Sequence, residues 1–231
     1  MSMFGAADDV DDGGGPAGRS GSGSGTGSRT GSAEQPGRRH LSERQAEAME
    51  RLVAAAAEEA EERPYAEISV RTIAKRAGLA PATAYTYFSG KDHLLAEVLW
   101  RRMQGSPNLV DLTLPLPERV ADTVRSMGFD AMGSPAVAVC TTALLGDGPD
   151  VKRVRSRLGA EITRRLSAAL GTGATGATAA TTVDPSVLNV LQVTYTGALL
   201  SAGMGHLAFD AVPPLMAEAT ALLTGASTGT S

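Results

Sequence analysis

The chain has 231 residues, 42% of them hydrophobic but only 4% aromatic, with a net charge of −4 and a pI near 5.4. That length holds one large domain or two small ones, the acidic balance excludes a DNA binder that works by sequence-wide charge, and no run of about 18 apolar residues offers a membrane span. The sole cysteine, Cys140, can neither close an internal disulfide nor build a multi-thiolate zinc site, so a reducing cytoplasm fits and no metal or other cofactor is expected.

Residues 1 to about 37 are low in complexity. The run GGGPAGRSGSGSGTGSRTGS offers almost nothing to bury, so it is expected to be disordered. Early acidic residues and the lack of an apolar core argue against a secretory signal. Arg38, Arg39 and His40 close this tail, either as a basic arm for a minor groove and phosphates or as ordinary solvated residues. A first helix is predicted from Ser42, with Ser42 and Gln45 as a capping box and Leu41 stapled onto Ala46. Ala46, Met49, Val53, Ala56, Ala57 and Ala60 share one face. Glu58, Glu59, Glu61 and Glu62 form a carboxylate cluster with no histidine beside it, read as a solvated helix end. Pro64 stops the helix, and Tyr65 and Ile68 are expected to pack beneath the next unit.

That unit, Ser69 to Lys91, reads SVRTIAKRAGLAPATAYTYFSGK. Ser69 can cap a helix whose Val70, Ile73, Ala74 and Ala77 recur at helical spacing. Gly78 supplies the left-handed turn that stops it, and Pro81 opens a second short helix ending near Tyr87. Two helices joined by a tight Gly-containing turn are the helix-turn-helix layout. Arg71, Lys75, Arg76 and Lys91 lie in the stretch with no acidic residue, the local sign that phosphate contact requires. Small and hydroxyl side chains at Ala82, Thr83, Thr86 and Tyr87 suit close approach to base edges and phosphate oxygens. The candidate DNA contacts are therefore Arg71, Thr72, Lys75, Pro81, Ala82, Thr83, Tyr85, Thr86, Tyr87 and Lys91. Tyr85 has an equal alternative as a packing aromatic.

The run AGLAPATAYTYFSGKDHLLAEVL resembles the DNA-binding signature of TetR-type transcriptional regulators, and the likeness covers roughly Leu41 to Met103. Carried over by position, the resemblance implies that Thr83, Tyr87 and Lys91 hold phosphates, that Pro81, Ala82 and Thr86 face bases, and that Phe88 is core. Ala80 stands where a capping hydroxyl is usual, Ala84 where a larger aliphatic is, and Gly90 where a bulkier residue is. Those departures bear on base preference and helix stability rather than on fold.

A longer helix follows, with Ser89 as its predicted cap and Asp92 in its first turn, where the helix dipole favours a carboxylate. Leu94, Leu95, Val98, Leu99 and Met103 form its buried stripe, and Trp100 lies toward the end that meets the rest of the chain. The prolines of SPNLVDLTLPLP mark a boundary. From Glu118 the pattern is helical again, with Val120, Val124, Met127, Ala131 and Met132 on one face. Pro135 to Leu145 is nearly all apolar or small. Asp150 to Leu170 is amphipathic, with Val151, Val154, Leu158, Ile162 and Leu166 inside and Lys152, Arg153, Arg155, Arg157, Arg164 and Arg165 outside. Gly171, Gly173 and Gly176 match a dinucleotide fingerprint but lack the preceding strand it needs. Asp184 and Pro185 open a late helix reaching about Leu207, with Gly197, Ser201 and Gly205 as a small-residue ridge. Pro213, Pro214 and LMAEATALL give a last helix.

The expected fold class is all-α with about nine helices. The predicted organisation is a disordered tail (1–40), a helix-turn-helix domain with its linking helix (41–104), a Pro-rich boundary (105–117) and a helical ligand-binding and dimerisation domain (118–226). The resemblance implies that the last two long helices pair with their copies in a homodimer, and that the second domain holds an inducer pocket. An apolar cavity with few polar anchors is the usual small-ligand site. Trp100, Met127, Phe129, Met132, Cys140, Leu144, Leu145 and Val193 are its predicted apolar lining, with Asn189, Gln192, Tyr195 and Thr196 as polar groups. A hydrophobic effector, such as an acyl chain or a lipophilic drug, fits that lining better than a sugar or a phosphate. The functional expectation is a cytoplasmic repressor that binds a palindromic operator in double-stranded DNA as a homodimer, without a membrane partner, and is released by its effector. A ligand-free DNA-binding structural protein and an all-α enzyme are the competing classes. His40, His93 and His206 are scattered and show no nucleophile–base spacing.

Overall fold

In the computed structural model, the described residues are 36–107, 110–127, 134–171 and 184–225. Among them are nine α-helices, two 3-10 turns and no strand. The helices are α1 (Pro36–Glu62), α2 (Val70–Arg76), α3 (Pro81–Tyr87), α4 (Lys91–Gly105), α5 (Leu116–Arg125), α6 (Pro135–Ala143), α7 (Pro149–Leu170), α8 (Pro185–Gly203) and α9 (Val212–Thr224). The 3-10 turns are Tyr65–Glu67 and Phe209–Ala211.

Helices α1 to α3 form a compact unit against α4, and α4 continues into the second half of the molecule, where it packs on α6 and α7. Helix α5 lies along α9, and α8 bridges α9, α6 and α7. One hydrophobic core runs through both halves. It includes Leu52, Ile73, Phe88, Leu94, Leu95 and Leu99 near the helix-turn-helix, and Met127, Leu166, Leu191, Tyr195 and Met216 beyond it.

Punctuation residues set most helix ends. Pro81, Pro135, Pro149 and Pro185 stand at or near the first helical position, where a missing N–H costs nothing. Gly78 (φ 65°) and Gly171 (φ 75°) take the left-handed conformation that ends α2 and α7. The dinucleotide-like Gly run beyond Gly171 lies outside the described residues.

Several expectations need correction. Helix α1 begins at Pro36 rather than Ser42, so Ser42 is interior and the Ser42–Gln45 capping box does not set the start. Pro36 suits a first helical turn, and nothing between it and Glu62 breaks the helix. Ala46 is exposed, while Leu52 is fully buried. Gly90, not Ser89, is the N-cap of α4, and the Ser89 N–H instead donates to His93 Nδ1 at 3.3 Å. Helix α5 starts at Leu116, two residues before Glu118. Helix α8 stops at Gly203, so Gly205 lies in the turn beyond it and the small-residue ridge is shorter than predicted. The tail to residue 35, Phe129, Ala131 and Met132 lie outside the described residues.

Candidate nucleic-acid interface and effector cavity

The helix-turn-helix is locked from both ends of α2. Ser69 Oγ accepts from the Thr72 N–H and Thr72 Oγ1 accepts from the Ser69 N–H, each at 3.1 Å. This capping box also has Thr72 Oγ1 donating to the Ser69 carbonyl at 2.8 Å. The Thr72 hydroxyl, a candidate DNA contact, is therefore engaged inside the protein. At the other end Leu79 N donates to Ala74 O at 2.9 Å around the Gly78 turn. Arg51 of α1 reaches across and donates to the Ala77 carbonyl, a cap invisible in the local sequence.

Of the carboxylate cluster, Glu58, Glu61 and Glu62 are exposed as expected and Glu59 is buried, but three of the four are engaged by one cation. Arg76 Nε donates to Glu59 at 2.7 Å and its two terminal nitrogens to Glu62, with Glu58 at 3.4 Å. Glu59 is only 3% exposed. The Glu62 and Glu59 bonds raise the Arg76 pKa further above its already high value, and Arg76 in turn holds Glu62 below the usual carboxylate range. Arg76 thus clamps α2 to α1, and its charge is spent within the protein. The positive field of the unit rests on Arg71 and Lys75, both exposed on α2.

Helix α3 buries Ala84 and seats Phe88 in the core as its C-cap. The opposite face exposes Pro81, Ala82, Tyr85 and Thr86, while Thr83 and Tyr87 are half-buried at its edges. Tyr85 is 58% exposed, which removes the packing-aromatic alternative. Thr86 Oγ1 donates to Ala82 O at 3.1 Å and keeps a lone pair outward. Small Ala84 allows α3 to lie close on its supports, and Ala80 leaves the helix start without a side-chain cap.

Lys91 is half-buried. Its Nζ donates to the Tyr65 carbonyl at 2.9 Å and sits 3.9 Å above the Tyr65 ring. The Tyr65 hydroxyl donates to Asp92 Oδ1, and burial followed by that carboxylate pushes the Tyr65 pKa up to about 12. Lys91 and Asp92 thereby fix the start of α4 to the segment before α2.

The second half contains a cavity of about 240 Å³ between α4, α6, α7 and α8. Its walls are Leu99, Leu144, Leu145, Leu158, Ile162, Leu199 and Leu200, with Gly159 opening space on α7. Thr141, Thr196 and Arg155 supply its polar groups. Of the predicted lining, the structure brings Leu144, Leu145 and Thr196 to this cavity. Trp100 instead lies under Arg157, whose guanidinium is 4.2 Å from the ring centroid. Met127 and Cys140 are fully buried core, and burial pushes the Cys140 thiol up to about 12. Tyr195 is fully buried core as well, while Gln192 is half-buried and not part of the wall. Val193 is 73% exposed and Asn189 is exposed, so neither lines the interior. An all-round apolar helix such as α8 gives no periodicity to say which face is inward. The missed lining on α7 follows a readable pattern, since Arg155, Leu158, Gly159 and Ile162 fall at i, i+3, i+4 and i+7 on one face.

Arg165 is also corrected. Predicted outside, it is 2% exposed. It donates to Met103 O at 2.7 Å, Ser106 Oγ at 3.0 Å, Pro107 O at 3.3 Å and Glu161 at 2.8 Å. Met103 O near the end of α4 already accepts from the Ser106 cap, and Arg165, one turn past the cavity wall, adds a cationic donor there where the helix dipole favours it. Glu161, bound by Arg164 and Arg165, is held down at about 2. Among the described residues no cluster of His, Cys, Asp and Glu is arranged to hold a metal, and no helix is long and apolar enough to cross a membrane.

A family profile described as bacterial regulatory proteins, tetR family, matches residues 52–98, from α1 through the helix-turn-helix into α4. Uncharacterized HTH-type transcriptional regulators of Mycobacterium tuberculosis and Mycobacterium bovis are 40% identical over 172 residues, covering 73% of this chain and 76% of theirs. Among solved structures, a TetR transcriptional regulator from Rhodococcus sp. RHA1 is similar at a TM-score of 0.57 and 22% identity, over 80% of this chain and 99% of that one. The transcriptional regulator FadR from Bacillus subtilis, solved in complex with stearoyl-CoA, is similar at a TM-score of 0.51 and 18% identity, over 77% of this chain and 98% of that one. The structural likenesses bear on fold alone. With the helix-turn-helix geometry and the 40% identity to the mycobacterial regulators, the assignment is plain: the chain belongs to the tetR family of bacterial transcriptional regulators, and not to a family of enzymes.

Proposed function

We propose that this regulator is a repressor that binds an inverted-repeat operator as a homodimer and leaves it when a small hydrophobic effector occupies the α4–α8 cavity. The observation that carries the DNA contacts is the outward face of α3, with small and hydroxyl side chains beside Arg71 and Lys75, which are exposed and have no carboxylate partner among the described residues. Pro81, Ala82 and Thr86 face bases in this reading. Thr83, Tyr85 and Tyr87 approach phosphates, as do Arg71 and Lys75, while Thr72, whose N–H and hydroxyl both bond Ser69, fixes the start of α2 beside them. Lys91 anchors α4 rather than reaching a phosphate, since its ammonium is held by the Tyr65 carbonyl.

The homodimer is supported by apolar surface on the last two helices. Val190, Val193 and Gly197 share one face of α8, and a Cβ at Gly197 would meet nothing within 4 Å. Leu215, Leu222 and Leu223 are exposed on α9. Apolar side chains left exposed on the last two helices are the kind of surface that marks a contact site. A two-fold pair would set its reading helices about one DNA turn, ~34 Å, apart.

Effector release is supported by connectivity. Leu99 lines the cavity from α4, the helix whose start holds the helix-turn-helix through Lys91 and Asp92. Arg165 ties the far end of α4 to α7, one turn beyond the wall residue Ile162. A ligand that prefers a different α4–α7 spacing shifts the population away from the DNA-competent form only as far as it binds the other form better. The FadR complex is one instance of the same fold carrying a long-chain acyl ligand. The test is a gel shift on the intergenic DNA beside the gene, with and without acyl lipids. Retention of binding after Arg71→Ala and Lys75→Ala together would defeat the contacts. A complex indifferent to every lipid offered would defeat effector release.

A further inference from the structure

The six cations of α7 are not equivalent. Lys152 pairs with Asp147 at 2.6 Å, Arg153 with Asp150, Arg157 with Glu97 at 3.3 Å, Arg164 with Glu161 at 2.6 Å and Arg165 with Glu161 at 2.8 Å. Arg155 has no carboxylate within ion-pairing distance among the described residues. It is also the charged residue that borders the cavity. One terminal nitrogen donates to the Leu144 carbonyl at 2.6 Å, which aims the guanidinium at the gap between α6 and α7. A guanidinium has five N–H donors in a planar fork, so donors remain for another acceptor. Behind it on the same face are Leu158 and Ile162, and Leu199 and Leu200 close the opposite wall.

From this arrangement we infer that the cavity takes an amphiphile with an anionic head, a carboxylate or phosphate held by Arg155 with its hydrocarbon chain among the leucines. The inference rests on reading the cavity as the effector site and adds the chemistry of the head group. A neutral lipophile fills the apolar walls equally well but leaves the fork unused. A cationic one places like charges together at the mouth. The two hydroxyls of the wall, Thr141 and Thr196, cannot discriminate by charge, and Thr196 already donates to Gln192 O at 2.9 Å.

The test compares decanoate, decan-1-ol and decylamine, which share a chain and differ in head group, each kept below its aggregation concentration. Ligand affinity for the full chain is read from the rise in Tm. Decanoate is expected to bind roughly three- to fivefold more tightly than decan-1-ol, the size of one solvent-accessible ion pair, with decylamine weakest. Arg155→Met keeps the apolar stem and erases the decanoate preference. Gly159 has nothing within 4 Å of its Cβ position, so Gly159→Leu fills the cavity and abolishes the response to all three. Equal affinity for the three heads overturns the inference. So does a decanoate preference that survives Arg155→Met, a response that survives Gly159→Leu, or the absence of any shift. The same ligands are added to the protein bound to its upstream duplex. Arg155-dependent decanoate binding that leaves the duplex occupied supports the head-group assignment while defeating effector release. Release by decan-1-ol as effective as release by decanoate defeats the head-group assignment while sparing effector release.

Discussion

Replacing Arg165 with methionine tests whether the end of α4 is held to α7 by a buried cation. The change keeps a long apolar side chain and removes every donor. Met103 O keeps its bonds from the Ser106 N–H at 3.3 Å and the Ser106 hydroxyl at 2.7 Å, so it is not orphaned. Ser106 O and Pro107 O lose their Arg165 donors, and Glu161 keeps Arg164. Ser106 is half-buried and Pro107 exposed, so water partly replaces the lost donor and each carbonyl costs about 1 kcal/mol. Loss of the charge-assisted bond to Glu161 adds a similar amount, for a net loss of about 3 kcal/mol. In a chain of this size 1 kcal/mol moves Tm by ~2–4 °C, so the expected fall is roughly 6–12 °C. Urea denaturation reads the same quantity independently. Arg165→Lys, with one point charge instead of a fork, is expected to recover less than half of the loss. A loss below ~1 kcal/mol on the urea scale, or a lysine variant as stable as the parent, would refute the seam as described.

Other expectations follow from single residues. Gly78→Ala forces an L side chain to φ 65° and pushes on Arg51 Nη2, 2.8 Å from the new Cβ, so it costs about 1–2 kcal/mol in chemical denaturation. Gly90→Ala, at an extended position with open space, carries no such penalty. Val193→Asp places a charge in the exposed α8 patch and converts a dimer to a monomer in sedimentation, with helical content unchanged. Burial holds the His93 imidazole below its ordinary value of 6.5, against the opposing pull of Asp150 and Glu97 and with Arg153 and Arg157 acting alongside burial. The unfolded chain therefore takes up this proton before the folded one, and stability falls as pH drops below 6.5. His93→Gln flattens that part of a Tm-versus-pH profile.

Residues that punctuate the chain made the fold legible before any coordinates. Ser69, Gly78 and Pro81 define α2, its turn and α3 by local backbone chemistry, and the alternation of core positions around them follows helical spacing. What escaped the sequence is non-local. Arg76 meets its carboxylates on a helix 14 to 18 residues earlier, so the basic count of the unit overstated its free charge. Arg165 carries the same sequence pattern as its exposed neighbours on α7, and only the carbonyls that α4 and the residues after it bring to that point explain its inward turn. Val193 shows the reverse error. An apolar residue on a helix apolar on all sides is expected inside, yet α8 turns it outward. The start of α1 was missed because Ser42 satisfies a local capping rule while Pro36 satisfies another one earlier. Arg155 is exposed, as its charge implied, and its spacing from Leu158 and Ile162 also sets it at the edge of the cavity.

The most direct measurement is a titration of this protein against duplexes from its flanking DNA, followed by fluorescence anisotropy over a range of salt and by sedimentation of the complex. The account predicts two protomers on one inverted repeat, an affinity that falls steeply with salt, and a salt slope that drops by about one for each of Arg71→Ala and Lys75→Ala per half-site. A single protomer on the duplex, or binding whose salt slope is unchanged in both variants, would contradict it.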